Sequence, residues 1–123
     1  MVRITVVSTF TSPVVNRDTT APNGSIVVAG GQAWTNTTNV TLTLSCTDTT
    51  SGCSEMQFSN DNVVFSSLEP FAASNAWTLT SGDGLKTVYT RYVDTAGNLS
   101  LSVSDTITLD TTRPVLSGVS DSP

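Results

Sequence analysis

The stretch that most constrains the fold is residues 84–98, GLKTVYTRYVDTAGN. It passes through β-branched and aromatic residues without a proline, and it lies between two turn signals, Ser-Gly-Asp-Gly before it and Asp-Thr-Ala-Gly-Asn at its end. Because side chains alternate along a strand, Val88 and Tyr92 point to one face while Tyr89 and Val93 point to the other. Both faces carry bulky groups, which predicts a long central strand of a β-sheet.

Composition also favours an all-β domain. The chain has 123 residues, enough for one domain with a moderate core, and it has few charged residues, no histidine and many Thr and Ser. Its formal charge is −5 and its five Lys and Arg residues are scattered, so the sequence offers no basic stripe for nucleic acid or for an anionic membrane surface. No segment approaches the roughly 20 apolar residues that span a bilayer, so no membrane insertion is predicted.

Six further runs complete a predicted set of seven strands: 25–29, 39–46, 55–59, 63–66, 76–80 and 99–109. The run 39–46 has the clearest alternation, with Val40, Leu42 and Leu44 on one parity. In the last run Asp105 interrupts an apolar parity, and a β-bulge near 104–106 that turns it to water is favoured over a buried, hydrogen-bonded carboxylate. Seven short strands with regular turns predict an antiparallel β-sandwich.

One motif occurs twice and predicts the domain boundaries. Asp18-Thr-Thr-Ala-Pro22 recurs as Asp110-Thr-Thr-Arg-Pro114, each time where a strand-like run ends and a proline restricts the backbone. We interpret the two copies as joints of a tandem array. Residues 1–17 would then be the end of a preceding unit or a leader, 18–109 one complete unit, and 110–123 a linker and the start of the next unit.

Several motifs in the predicted unit resemble the tandem bacterial immunoglobulin-like repeats of large secreted and cell-surface proteins. They are MQFSND at 56–61, LEPF at 68–71, WTLTSGDG at 77–84, KTVY at 86–89 and DTAGN at 94–98, together with both joints. The resemblance implies a seven-stranded immunoglobulin-like β-sandwich that acts as a spacer or adhesive module, or as an accessory module beside polysaccharide-degrading enzymes. It also implies an extracellular or cell-surface location in a bacterium, with neighbouring domains of the same chain as partners.

The two cysteines, Cys46 and Cys53, predict a structural disulfide. Six residues separate them, whereas a redox motif has two and a zinc site would need further thiolates or imidazoles that the sequence lacks. The bond would join the end of one strand to the start of the next and would indicate an oxidising compartment. The alternative is a pair of free thiols in a reducing compartment.

Three acidic residues carry a calcium hypothesis. Asp18, Asp94 and Asp110 lie at turns and joints, where carboxylate and backbone oxygens could converge at a domain end and satisfy the oxygen coordination of Ca²⁺. The alternative is that each caps its own turn through its side chain. No Asp-x-Asp-x-Asp-Gly loop is present, and no other cofactor is predicted.

Trp34 is the candidate ligand-binding residue. It lies in a loop and could stack on a sugar ring, with Phe65 or Phe71 beside it, although packing over the end of the sandwich is the favoured alternative. Trp77 alternates with Leu79 and is predicted to belong to the core. A polysaccharide or a surface protein would be the partner of such a site.

No catalytic residues are predicted. The chain has no histidine and its cysteines are expected to pair, so a Ser or Cys nucleophile would lack its usual base. We therefore expect a monomeric, non-enzymatic module, with carbohydrate binding as the alternative to a purely structural role.

Overall fold

The computed structural model describes residues 18–112, and the predicted segments 1–17 and 113–123 lie outside the described residues. Eight strands form two sheets that face each other: β1 Asn23–Val28, β2 Trp34–Thr35, β3 Asn39–Thr47, β4 Cys53–Ser59, β5 Glu69–Pro70, β6 Ser74–Thr78, β7 Gly84–Asp94 and β8 Val103–Leu109. The sheet orders are β1-β3-β6 and β2-β8-β7-β4-β5. Within 18–112 no helix is both long and apolar enough to cross a bilayer. The predicted all-β sandwich is confirmed: six of the seven predicted strands form, and β2 and β5, of two residues each, are additional.

Strand β7 is the centre of the five-stranded sheet, as its sequence predicts. It pairs antiparallel with β8 in unbroken register from Gly84 opposite Leu109 to Thr90 opposite Val103, and antiparallel with β4 on its other side. Val88 and Tyr92 point into the sandwich and are fully buried. Thr90 is buried between them, and its hydroxyl donates to the Gln57 carbonyl at 2.9 Å, which satisfies the polar group.

The core fills the space between the two sheets. Alternating residues of β1 and β3 supply one side, and β4, β7 and β8 supply the other. Each fully buried aliphatic or aromatic side chain contributes roughly 1.5–3 kcal/mol by its removal from water. The buried cluster consists of Ile26, Val28, Val40, Leu42, Leu44, Met56, Phe58, Leu79, Val88, Tyr92 and Ile107.

Tyr92 ties the two sheets together. Its hydroxyl donates to the Ser25 carbonyl of β1 at 2.6 Å, a hydrogen bond from the five-stranded sheet to the three-stranded sheet. Burial raises the pKa of Tyr92 to about 12, so the hydroxyl keeps its proton and remains a donor. The ring lies where a side chain at Gly24 would be, since a Cβ there would meet the ring at 2.2 Å. Strand β1 therefore needs glycine at this position.

The predicted strand at 63–66 is wrong. Residues 60–64 form bends instead. The side chain of Asp61 accepts hydrogen bonds from the amides of Val63 and Val64, both at 2.9 Å, and the Ser59 hydroxyl accepts from the amides of Asp61 and Asn62. The backbone donors that a strand would offer to a ladder are used by these local side chains.

The predicted bulge in the last strand is also wrong. The register of β7 and β8 passes through Asp105 without interruption, and its carboxylate accepts the amide of Val28 at 2.8 Å. Asp105 is thus half-buried and hydrogen-bonded, which is close to the alternative to the bulge that the sequence left open. The strand also begins later than predicted, because Leu99 and Leu101 are exposed and lie ahead of Val103.

Strand β2 departs from the antiparallel pattern. It pairs parallel with β8, with Trp34 opposite Thr108 and Thr35 opposite Leu109. Since β1 also contacts β8 and precedes β2, the first part of the described chain runs alongside the last strand in the same direction. The two ends of the described chain therefore leave the sandwich at opposite poles.

Candidate functional site

The first joint is bound at the pole where β7 ends. The carboxylate of Asp18 accepts the Thr20 amide at 3.0 Å and the Ser51 hydroxyl at 2.6 Å. The side-chain amide of Asn98 donates to the Asp18 carbonyl at 2.8 Å. Because Asn98 follows β7 and Ser51 precedes β4, the joint is fixed to two separate parts of the domain. We call this end the N-terminal pole.

Three carboxylates meet at the N-terminal pole. One carboxylate oxygen from each of Asp18, Asp48 and Asp94 lies within 4.8 Å of the others, and no ion is present. One oxygen of Asp48, Oδ2, is buried and has no hydrogen-bond partner among the described residues. The structure thus brings together Asp18 and Asp94, as the calcium hypothesis expects, and adds Asp48. It places the third predicted residue, Asp110, at the opposite end of the domain.

Asp94 is almost fully buried, with 1% of its surface exposed. Burial raises the pKa of its carboxyl group, but hydrogen bonds from the Asn98 side chain and amide outweigh burial and lower the pKa to about 2. The Asn98 amide donates at 2.8 Å and the side-chain nitrogen at 2.9 Å. Asp94 is therefore ionised at neutral pH beside two further acidic groups, an arrangement that attracts a cation with a preference for oxygen ligands.

The loop that carries Asp48 and Ser51 is closed by the disulfide. Cys46 and Cys53 are bonded, with their Cα atoms 6.2 Å apart, at the end of β3 and the start of β4. The prediction of a structural disulfide is confirmed. Within the loop Asp48 Oδ1 accepts the amides of Thr50 and Ser51 at 3.0 and 3.1 Å. The disulfide thus closes the loop that carries Asp48 and Ser51, two of the residues around Asp18.

Asp48 was missed by the sequence analysis, although one signal for it exists. The segment Asp48-Thr-Thr-Ser has the composition of an Asx turn, which orients a carboxylate inward over the loop. What the sequence does not reveal is that the loop lies against the first joint, 33 residues away at the Asp18–Ser51 contact.

The second joint is bound at the opposite, C-terminal pole by a single carboxylate. Asp83, just before β7, accepts the Thr111 amide at 2.9 Å, the Thr111 hydroxyl at 2.6 Å and the Thr112 hydroxyl at 2.7 Å. The bond from the Thr111 hydroxyl, followed by the bonds from the Thr111 amide and the Thr112 hydroxyl, lowers the pKa of Asp83 to about 2. Asp110 accepts the Thr112 amide at 3.2 Å, so it caps its own turn, which was the alternative to calcium binding.

Trp34 lies beside the second joint and is exposed over 61% of its surface. It lines an open cavity of about 400 Å³ together with Gln32, Thr35, Asn36 and Asp110. The expectation that Trp34 packs over the end of the sandwich is wrong. Trp34 does not pack there because β2 pairs with β8 at the edge of the five-stranded sheet, and this pairing directs the ring outward.

The other aromatic candidates are covered. The guanidinium carbon of Arg91 lies 3.7 Å from the centre of the Phe65 ring, and Phe71 meets the Tyr92 ring edge-on at 5.9 Å. Trp77 packs against the core as predicted, 5.5 Å from the Phe58 ring centre, and its indole nitrogen donates to Asn60. Trp34 alone among the described aromatic residues is exposed.

Comparison with known proteins identifies the fold class. No family model matches the sequence, and no curated protein matches it. The structure is similar to the PKD1 domain of Vibrio anguillarum Epp, with a TM-score of 0.56 and 16% identity over 77% of this chain and 100% of that one. It is similar to the PKD1 domain of the Vibrio cholerae metalloprotease PrtV, with a TM-score of 0.56 and 18% identity over 75% and 100%.

A third similar structure is that of the fibronectin(III)-like modules of Clostridium thermocellum CbhA, with a TM-score of 0.54 and 14% identity over 72% of this chain and 99% of that one. All three are domains of bacterial proteins with two-sheet sandwiches of the immunoglobulin-like class. At these identities the likeness establishes the fold. Residues 18–112 form an immunoglobulin-like β-sandwich.

Proposed function

We propose that this domain is a non-catalytic spacer, one unit of a tandem array in a bacterial extracellular or cell-surface protein. The observation that supports the proposal most directly is the course of β1 and β2 beside the last strand β8, with which β2 pairs in parallel. Asp105 of β8 accepts the Val28 amide of β1, and the Thr108 and Asp110 amides donate to the carbonyls of Ala33 and Thr35 at 3.0 and 2.9 Å.

This arrangement suits a module that carries tension. When the two ends are pulled apart, parallel neighbouring strands slide in opposite directions, and the bonds between them are strained together rather than one after another. The 11 residues of β7, at about 3.3 Å per residue, separate the two poles by about 33 Å. Each unit would then add that length between its neighbours.

The joints support the same role. The sequence motif of each joint ends with a proline. Side chains bind each joint to the sandwich, Ser51 and Asn98 at one pole and Asp83 at the other. Such joints would limit hinge motion between units. The disulfide supports an oxidising location, and we propose neighbouring domains of the same chain as the principal partners of a monomeric module.

The calcium hypothesis becomes a proposal with a changed set of ligands. Asp18, Asp48 and Asp94 would bind Ca²⁺ at the N-terminal pole, where the unpaired oxygen of Asp48 and the low pKa of Asp94 favour a cation. Asp110 is not included, because it lies at the other pole. A bound ion would fix the first joint to the sandwich.

The spacer function is tested by stretching the chain between handles at its two ends and recording the unfolding force. We expect Asp105→Ala to lower that force, because it removes the bond between β1 and β8. Val63→Ala is the control, since it removes an exposed side chain that joins neither the two strands nor a joint. Equal forces for the parent chain and Asp105→Ala would argue against the role of the paired strands.

A further inference from the structure

The surface around Trp34 has a rigid frame. Strand β2 is bound on both sides of the ring, through the Ala33 and Thr35 carbonyls that accept amides of β8 and the residue after it. The following turn is closed by its own hydroxyls, with the Thr37 amide donating to Thr35 Oγ1 and the Asn39 amide donating to Thr37 Oγ1. The indole is therefore presented in one place without a flexible loop, which lowers the entropic cost of binding.

The polar groups around the ring are free to bind. Within residues 18–112 the side-chain amides of Gln32 and Asn36 form no hydrogen bonds, and both residues are exposed. Asp110 uses Oδ1 to cap its own turn, which leaves Oδ2 available. The rim thus offers two amide donors, two amide acceptors and one carboxylate acceptor beside a flat apolar surface.

This combination matches the chemistry of a sugar ring. The C–H face of a pyranose is apolar and covers an aromatic ring, while its hydroxyls both donate and accept at the edge. The cavity is open along the protein surface, so a ring can be bound while the chain continues on both sides. We propose that Trp34, Gln32, Asn36 and Asp110 form a binding site for one ring of a neutral polysaccharide.

Charge narrows the ligand class. The chain has a formal charge of −5, and the rim itself contains Asp110 without a Lys or Arg among its lining residues. A polyuronate or a sulfated glycan would meet repulsion there, whereas hydroxyls and acetamido groups would donate to the carboxylate. The ligand is therefore a chain of uncharged hexoses, pentoses or N-acetylated sugars.

A neighbouring protein domain is the competing occupant, since the site lies beside the second joint. The residue types favour the glycan. Trp34 is the one apolar residue of the lining, and the rest are amide, hydroxyl and carboxylate side chains, whereas the centre of a domain interface is mainly apolar. The site stands on this geometry and does not depend on the spacer function, so either can fail without the other.

The test is retention of the full 123-residue chain on insoluble cellulose, chitin and xylan, with insoluble calcium alginate as the anionic comparison. We expect retention on at least one of the three neutral polysaccharides and none on alginate. Trp34→Ala should weaken that retention at least about tenfold, as expected for loss of a stacked aromatic ring. Gln32→Ala and Asn36→Ala should weaken it less.

Leu101→Ala is the matched control, because it removes an exposed apolar side chain that is 88% accessible and lies outside the site. It should bind as the parent chain does, and the thermal unfolding of each variant shows that the fold is kept. Failure to bind all three neutral polysaccharides, retention that is unchanged in Trp34→Ala, or binding to alginate alone overturns the proposal. So does shielding of Trp34 from iodide quenching in the free chain, which would indicate that another part of the chain or a second copy covers the ring.

Discussion

The two copies of the Asp-Thr-Thr-x-Pro motif form the same local turn in different surroundings. In the first, the Thr20 amide donates to Asp18 at 3.0 Å, and in the second the Thr112 amide donates to Asp110 at 3.2 Å. Asp18 is nearly buried and contacts the sandwich with its carboxylate and its carbonyl. Asp110 is exposed, and the sandwich instead contacts the two residues that follow it.

The same motif thus contacts the sandwich through two different faces. In the first copy the aspartate contacts the sandwich that follows it, and in the second copy the threonines contact the sandwich that precedes them. A joint of the proposed array would use both faces at once, because they belong to different residues. The two poles also differ in kind, since the first contact is buried among acidic groups and the second is an exposed cap.

The largest expected effect is that of removing the disulfide, which should disturb the N-terminal pole and leave the C-terminal pole unchanged. Replacing both cysteines, Cys46→Ser with Cys53→Ser, should lower the free energy of unfolding by about 2.5 kcal/mol on the chain-entropy estimate for a short loop. It should also loosen the loop that presents Asp48 and Ser51. Chemical denaturation measures the loss, and NMR shifts should change around Asp18 while those of Thr111 stay as they are. Equal changes at the two poles would contradict the assignment of this loop to the first joint.

The next largest effect comes from removing one side chain at the buried joint. Asn98→Ala removes the side-chain donor to the Asp18 carbonyl and to the second oxygen of Asp94, while the backbone amide of residue 98 still donates to Asp94. The loss should cost roughly 1–3 kcal/mol of unfolding free energy. Asp83→Ala is the counterpart at the exposed joint, where solvent replaces much of the lost bonds, and it should lower the unfolding free energy much less than Asn98→Ala does. If Asp83→Ala were as destabilising as Asn98→Ala, the distinction between a buried and an exposed joint would be wrong.

Calcium should act on one pole only. Adding Ca²⁺ should raise the melting temperature by about 4 °C or more, which corresponds to roughly 1 kcal/mol for a domain of this size. Asp48→Asn should remove the response to calcium, and in the presence of a chelator it should stabilise the domain by relieving the repulsion among three carboxylates. Asp110→Asn is the control and should keep the full response. A melting temperature that ignores both calcium and chelator would refute the proposed ion.

The smallest effect is expected in acid. Asp83 and Asp94 have pKa values of about 2 in the folded protein, below the ordinary value of 3.8, so their stabilising bonds are complete above about pH 4. Those bonds are lost as the pH falls through about 2, because protonation is easier in the unfolded chain. The amide signal of Asn98 should shift together with unfolding, whereas that of Thr111 should shift while the sandwich remains folded. Loss of both signals near pH 5 would contradict the lowered pKa values.

Much of the sandwich can be predicted from local pattern alone. The period-two alternation of 39–46 and 84–94 identifies the two central strands, and the spacing of Cys46 and Cys53 indicates their bond. These features depend on residues that are near each other in sequence. The position of Asp94 relative to Asp18 does not follow in the same way, because the turn-and-joint argument that grouped these two residues also included Asp110, which lies at the other pole.

The predictions fail where the structure is determined by a hydrogen-bond partner that is distant in sequence, or by a nearby side chain that competes for the backbone amides. Asp105 is paired with the Val28 amide 77 residues away, so its parity in the sequence could not distinguish a bulge from a buried bond. Val63 and Val64 have high β-propensity, but Asp61 takes their amides. Asp48 and Asp83 look like ordinary turn residues, and only the folded chain brings them to the joints.

The central claim is that tension between the two ends strains the bonds of β1 and β2 to the last strand, β8, together. The direct test compares two directions of pulling on the same protein, one through handles at residues 18 and 112 and one through handles at 38 and 80. The second pair lies at one end of the antiparallel β3–β6 pair, so pulling there opens its bonds one at a time. We predict a several-fold larger unfolding force for the first direction. Equal forces in the two directions would contradict the claim.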